Sequence, residues 1–279
     1  MKWKGRQGSS NVEDRRGSSS KGLIGGGIGT IVVIIIVLLL GGDPSALMQN
    51  IATTQTQNTE YTPTAEENEL AEFTKVVLKE TEDAWTELFA KEGKTYRMPK
   101  LVLFTDAVQS GCGAASSNSG PFYCPADEKI YIDLSFFKEL SEKFDAPGDF
   151  AMAYVIAHEV GHHVQLLLGT NKKYESYRNQ LSEVEFNKMT VRLELQADYY
   201  AGVWAHYAKR MNILEEGDLE EALNAASAIG DDRLQKQRQG YVNPDTFTHG
   251  TSEQRSKWFL KGFRSGDMNG GDTFSAKVL

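Results

Sequence analysis

The stretch Ala157-His158-Glu159-Val160-Gly161-His162-His163 lies inside an apolar run, residues 150–168, whose length and composition predict a buried helix. Residues four apart on a helix share a face, so His158 and His162 point the same way and can offer two imidazole nitrogens to one metal ion. Glu159 sits about 100° further round the axis. It is poorly placed to share that ion but well placed to reach a water beside it. This is the H-E-x-x-H arrangement of two zinc ligands and a general base. Three features of the surrounding chain bear on it: helicity of the stretch, a third ligand downstream, and partners that orient the ligands.

Helicity has local support. Pro147-Gly148-Asp149 precedes the run, with Asp149 as a plausible N-cap. Gly161 between the two histidines costs about 1 kcal/mol of helix stability against alanine, which predicts a close approach by another backbone. His163, about 100° from His162, is expected on the outer face of the helix rather than on the metal.

A third ligand is sought among His163, His206, His249 and the carboxylates. The longer H-E-x-x-H-x-x-G-x-x-H pattern is absent, since Leu168 and Gly169 occupy the region where its last histidine would fall. A carboxylate from a following helix is the other solution. Residues 174–210 predict one long helix, with a possible interruption near Asn187, and it carries Glu194-Leu195-Gln196-Ala197-Asp198. Glu194 fits the third ligand. Asp198, four residues on and on the same face, fits the acceptor of a ligating histidine's outer N–H. The alternative is a solvated acidic face. Leu193, Leu195, Ala197, Tyr199, Ala201 and Val203 make the helix largely apolar and count against it, because a buried carboxylate needs a cation.

Around this centre the chain divides into five parts. Residues 1–22 hold six Lys/Arg against Glu13 and Asp14 and read as a polar, disordered cytoplasmic tail. Residues 23–42 continue an uncharged run whose 21 residues, 22–42, span about 31 Å as a helix, the thickness of a bilayer core. Its length and the lack of a cleavage site favour an uncleaved anchor over a signal peptide. Basic residues before the span, and none from 23 to 72, place the N-terminus in the cytoplasm and the remainder outside. Gly25-x-x-x-Gly29 is a weak dimerisation signal, and the oligomeric state is left open. Residues 43–65 form a Thr/Gln/Asn-rich linker. Residues 66–265 make the domain and 266–279 a C-terminal tail.

Within the domain, residues 66–91 predict an amphipathic helix ended by Gly93. Residues 100–104 and 129–134 read as strands, and 136–144 as a short helix. The strand just before the metal helix is a candidate edge for binding an extended peptide. Helices are also expected over 217–229, over 231–239, and from a cap at Thr251 or Ser252 to 263. The class is α+β, predominantly helical. Cys112 and Cys124 bracket a Gly/Ser/Ala-rich loop and are expected to form a disulfide outside the cytoplasm, worth about 3 kcal/mol by loop closure. His249, in a loop, is a candidate oxyanion donor. Arg255 could do the same, or pair with Glu159 or Asp198. A surface histidine and a structural ion pair are the plain alternatives.

The net charge is −8 overall and +4 over residues 1–22, so the rest carries −12. An acidic body supplies no basic face and excludes nucleic acid as the expected partner.

The sequences HEVGHHVQ (158–165) and ELQAD (194–198) resemble the putative neutral zinc metallopeptidase family of bacterial membrane proteins. So do NVEDRRG (11–17), GPFYCPAD (120–127), YIDLSFF (131–137), GDLEEALNAASAIGDDRLQ (217–235) and THGTSEQR (248–255). The resemblance covers most of the chain. It implies a gluzincin-like zincin domain behind one transmembrane helix, with Zn2+ on His158, His162 and Glu194 and Glu159 as base. It also implies a bacterial inner-membrane protein with its domain in the periplasm or outside the cell, acting on a peptide or protein substrate. One departure stands out. Family members carry a cysteine just after ELQAD and another near the C-terminus, where this chain has Tyr199 and Gly271. Loss of that pair predicts a mobile tail.

The expected activity is hydrolysis of peptide bonds by a membrane-anchored zinc endopeptidase. A zinc-stabilised binding module would not require Glu159, and a zinc hydrolase of non-peptide bonds would use the same residues.

Overall fold

The computed structural model describes residues 1–18 and 61–279. The expected anchor over 23–42, its Gly25-x-x-x-Gly29 pair and most of the 43–65 linker lie outside the described residues. Among the described residues no helix is long and apolar enough to cross a membrane. The chain runs β1 (Val12–Asp14), α1 (Ala65–Lys91), β2 (Lys100–Phe104), β3 (Ala107–Ser110), β4 (Gly113–Ser116), β5 (Phe122–Cys124) and β6 (Lys129–Asp133). It continues α2 (Ser135–Glu142), α3 (Asp149–Leu167), α4 (Thr170–Tyr177), α5 (Glu183–Arg210), α6 (Asp218–Ala228), α7 (Asp231–Gln239) and α8 (Ser252–Ser265).

The apolar runs KLVLF and KIYID become β2 and β6, paired in parallel with Leu101 opposite Ile130 and Leu103 opposite Ile132. Side chains alternate across a strand, so these four face the main core. Val102, Phe104 and Tyr131 face a smaller core with Cys124 and Val108, under the β3–β4 hairpin. Both faces are covered, which is why the strands read as continuous apolar runs. The sheet order is β1-β2-β6-β5, with β5 antiparallel to β6. The strand before the metal helix is therefore internal, and the edge belongs to β5, hidden at sequence level in the cysteine loop. The Cys112–Cys124 disulfide ties the hairpin tip to β5, with 5.8 Å between the Cα atoms.

The N-terminal segment corrects an expectation. Val12–Asp14 is a strand parallel to β2, and Asn11 O accepts from Leu101 N–H at 2.9 Å. Composition alone reads this stretch as disordered, but its polar groups are used by the domain. Ser9 Oγ and Asn11 Nδ2 donate to the buried Glu82 at 2.7 Å each, and Arg6 pairs with the buried Glu80.

The helices follow their local signals. Thr64 and Glu67 close a capping box at the start of α1. Ser182 and Glu185 close another at the start of α5, so the break in the expected 174–210 helix falls at 178–182 and not near Asn187. Asp149 is not the cap of α3. The N-cap is Gly148 at φ +120°, and Phe150 N–H donates to Glu221 of α6 at 3.0 Å.

Close approach sets the packing of α3, α5 and α8. A Cβ on Gly161 would lie 2.9 Å from Ala197 O, the crowding its presence in the helix predicts. Gly202 and Gly262 serve the α5–α8 contact in the same way, each facing the other helix's backbone. Phe150 stacks on Trp204 and Tyr154 meets Phe259 edge-on, so the face of α3 that carries both residues packs against α5 and α8.

The C-terminal tail is also held in place. Thr273 is fully buried, its hydroxyl donates to Arg192 O at 2.5 Å, and Arg192 Nη1 donates to Ala276 O at 3.0 Å. Positions 199 and 271 do face each other: a Cβ on Gly271 would lie 2.6 Å from Tyr199 Cδ1. A large ring against a glycine fills the space, and the tail docks without a covalent link.

Candidate metal centre

Helix α3 contributes His158 and His162 from one face, and α5, packed across Gly161, contributes Glu194. One ligand atom from each of the three lies within 4.8 Å of the others. His158 Nε2 stands 3.2 Å from Glu194 Oε2, and His162 Nε2 stands 3.5 Å from Glu194 Oε1. The two imidazoles meet edge-on with centroids 4.9 Å apart.

The opposite nitrogen of each ring is already engaged. His158 Nδ1 lies 2.8 Å from Asp198 Oδ1, and His162 Nδ1 lies 2.9 Å from Gln165 Oε1. A carboxylate oxygen can only accept, so Nδ1 of His158 carries a proton toward Asp198, and Nε2, which faces Glu194, is the nitrogen left to bind an ion once its own proton is displaced. Gln165, fully buried, donates to Leu193 O at 2.7 Å and to Gln196 Oε1 at 3.1 Å, which fixes its oxygen toward His162. Two nitrogens and a carboxylate, converging with both rings locked in orientation, are a donor set that would hold a catalytic zinc.

Asp198 anchors a buried ion network. Arg255 of α8 donates to it through Nε at 2.9 Å and Nη2 at 3.0 Å, and Tyr154 through its hydroxyl at 2.5 Å. Of the partners open to Arg255 from sequence, Asp198 is the one it takes. Burial opposes the charge on Asp198, yet Arg255 and His158 outweigh it and hold its pKa down at about 2. In the metal-free chain, burial likewise opposes the charged form of His158, but Asp198 and Glu194 raise its pKa to about 10. A ligating imidazole must be neutral, so metal and proton compete for this nitrogen.

Glu159 and His249 line the same cleft, of about 740 Å³, together with Phe122, Tyr123 and Tyr174. His249 is held by a residue that sequence reasoning missed. Asp231 Oδ2 accepts the backbone N–H groups of Thr248, His249 and Gly250 at 2.8, 2.6 and 3.0 Å, and its Oδ1 lies 3.3 Å from His249 Nδ1. Burial opposes the Asp231 charge, but the hydrogen bonds from His249 prevail and lower its pKa. No sequence spacing links 231 to 249. Tyr154 and Gln165 had a signal, since they stand four residues before His158 and three after His162.

His163 is outside the metal group, as expected, but it is fully buried and not on an outer face. Its Nε2 lies 2.5 Å from Arg97 O and its Nδ1 2.9 Å from the hydroxyl of Tyr123.

A family model described as Putative neutral zinc metallopeptidase matches residues 1–274. The chain is 51% identical over 288 aligned positions to the uncharacterized protein YpfJ of Escherichia coli K12, covering all of both chains. It is 47% identical over 195 positions to the uncharacterized protein Rv2575 of Mycobacterium tuberculosis H37Rv, covering 66% of this chain and 65% of that one. No solved structure matches.

Proposed function

The chain belongs to the Putative neutral zinc metallopeptidase family, and on that premise we propose that it is a zinc-dependent endopeptidase acting on extended stretches of polypeptide. The observation that carries the proposal is the convergence of His158, His162 and Glu194 in a cleft shared with Glu159, each imidazole oriented from behind. Zinc in that group supplies Lewis acidity to water and to the scissile carbonyl.

The chain's own residues do the rest. Glu159 takes a proton from the attacking water and returns it to the leaving amine. His249, held by Asp231, donates a hydrogen bond to the oxygen that gains charge. Asp198 and Gln165 keep Nε2 of the two histidines aimed at the ion. The edge of β5, which lines the cleft through Phe122 and Tyr123, offers backbone groups to an extended substrate.

The test uses full-length protein, because residues 1–18 are part of the fold. Bound zinc and casein cleavage are measured on the parent and on Glu159→Gln. One zinc per chain in both, with cleavage lost by a factor of about 10³ in the variant, supports the reading. Zinc in both with no cleavage by the parent removes general peptidase activity. A parent that holds no zinc removes the metal centre itself.

A further inference from the structure

We propose that His163 is a positioning residue that fastens the substrate-binding edge strand to the metal helix; this rests on the peptidase reading. Two adjacent histidines of α3 serve different neighbours. His162 belongs to the metal group, and His163, about 100° further round the helix, meets Arg97 O and the hydroxyl of Tyr123. Because Arg97 O can only accept, Nε2 of His163 carries its proton, and Nδ1 is left to accept from the Tyr123 hydroxyl. Tyr123 is the middle residue of β5, the edge strand along the cleft. The ring is packed edge-on by both Tyr96 and Tyr123, which removes its freedom to turn. The chain of contacts is short: metal ligand, neighbouring imidazole, edge-strand tyrosine. It sets how far the peptide-binding edge stands from the ion, a separation that β5 cannot set alone because it is a three-residue strand paired on one side only.

The experiment is Tyr123→Phe, which removes one hydroxyl and keeps the ring. In the full-length enzyme, KM for casein rises about fivefold while kcat stays within twofold and zinc content is unchanged. Independently of activity, amide hydrogen exchange at 122–124 accelerates while exchange at 130–132 does not. An unchanged KM in an active parent, or unchanged exchange at 122–124, overturns the proposal. A parent that binds zinc and leaves casein intact tells against the peptidase reading instead, and the exchange measurement still decides the clamp.

A separate observation carries a second inference: we infer that residues 1–18 and the domain from residue 61 onward lie on the same side of any membrane the protein meets. β1 is hydrogen-bonded into the domain's sheet with Val12 opposite Leu101 and Asp14 opposite Leu103. Arg15 N–H donates to Leu103 O at 2.8 Å. The buried Glu80 and Glu82 take their side-chain partners from Arg6, Ser9 and Asn11, so withdrawing the segment strands two carboxylates in the interior. A bilayer between the two parts breaks every one of these bonds. The arrangement expected from the basic flank, with the N-terminus in the cytoplasm and the domain outside, is thus at odds with the packing.

Neither native cysteine is free, so single reporters can be added at Lys4→Cys and Lys172→Cys, both exposed. Intact cells are treated with a membrane-impermeant maleimide before and after permeabilisation. The expected result is that the two positions label together, or are protected together. Labelling of one in intact cells and of the other only after permeabilisation overturns the inference.

Discussion

Helix α3 carries a three-ligand cluster at each of two levels, and they behave oppositely. At its start, Asp149, Asp218 and Glu221 bring carboxylate oxygens as close together as His158, His162 and Glu194 do two turns later. The first cluster is already spoken for. The Met1 ammonium sits 2.6 Å from Asp149 and 3.3 Å from Asp218, and Glu221 accepts Phe150 N–H at the helix start. Two of its carboxylates face a cation and the third faces a helix terminus, both of which belong to the chain. The second cluster has its outer atoms engaged and its inner atoms converging on a cleft. Proximity of three ligand atoms does not make a metal centre; the direction of the lone pairs, and what has already claimed them, does.

The largest effect that separates the two clusters comes from His158→Ala. It removes one of the three proposed ligands, and the expected result is loss of stoichiometric zinc and of all cleavage, read by metal analysis and casein cleavage on purified protein. Retained zinc would erase the distinction drawn here. Next is Arg255→Met, which takes the guanidinium from the buried Asp198 and leaves it only His158 and Tyr154. The expected loss is about 3–5 kcal/mol in denaturant unfolding.

Asp218→Asn acts on the other cluster. It weakens the hold on the Met1 ammonium and costs about 1.5–3 kcal/mol, with zinc content unchanged. Loss of zinc in that variant would show the two levels of α3 to be coupled. The smallest effect sharpens the role of β1. Glu13 has its pKa lowered from 4.5 to about 2, first by the hydrogen bond from Lys129 against the opposing effect of burial, then by Arg15. A depressed carboxylate stabilises the fold above its unfolded pKa and ceases to as pH falls through the folded value. The stability advantage of the parent over Glu13→Gln is therefore full above about pH 5 and fades as pH falls toward 2, measured by unfolding at stepped pH.

The helices were legible because their signals are local. The capping boxes at Thr64 and Thr251 involve residues three apart, and each begins a helix where or near where the sequence places it, whereas the box at Ser182 falls inside the single helix expected over 174–210. The break lies before Ser182, five residues ahead of Asn187, because the capping box of Ser182 and Glu185 starts a new helix there. β5 escaped notice because three residues, Phe122–Cys124, carry too little alternation to stand out from a loop. Asp149 looked like a cap by position, yet a residue 72 positions away, Glu221, does part of that work while Asp149 serves Met1. The tail looked unfastened because its cysteine was missing, whereas Thr273 and Gln196 fasten it by hydrogen bonds.

The sequence by itself determined that His158 and His162 share a face, since they need only the 3.6-residue turn of one helix, and it put Glu194 and Asp198 on one face by the same periodicity. Only the tertiary structure decided that Glu194 meets those histidines, because that depends on how near Gly161 lets α5 approach. It alone placed Asp231 behind His249, His163 behind β5, and Val12–Asp14 in the sheet. These are contacts between segments tens of residues apart, and no local period in a chain encodes which distant polar group will claim another.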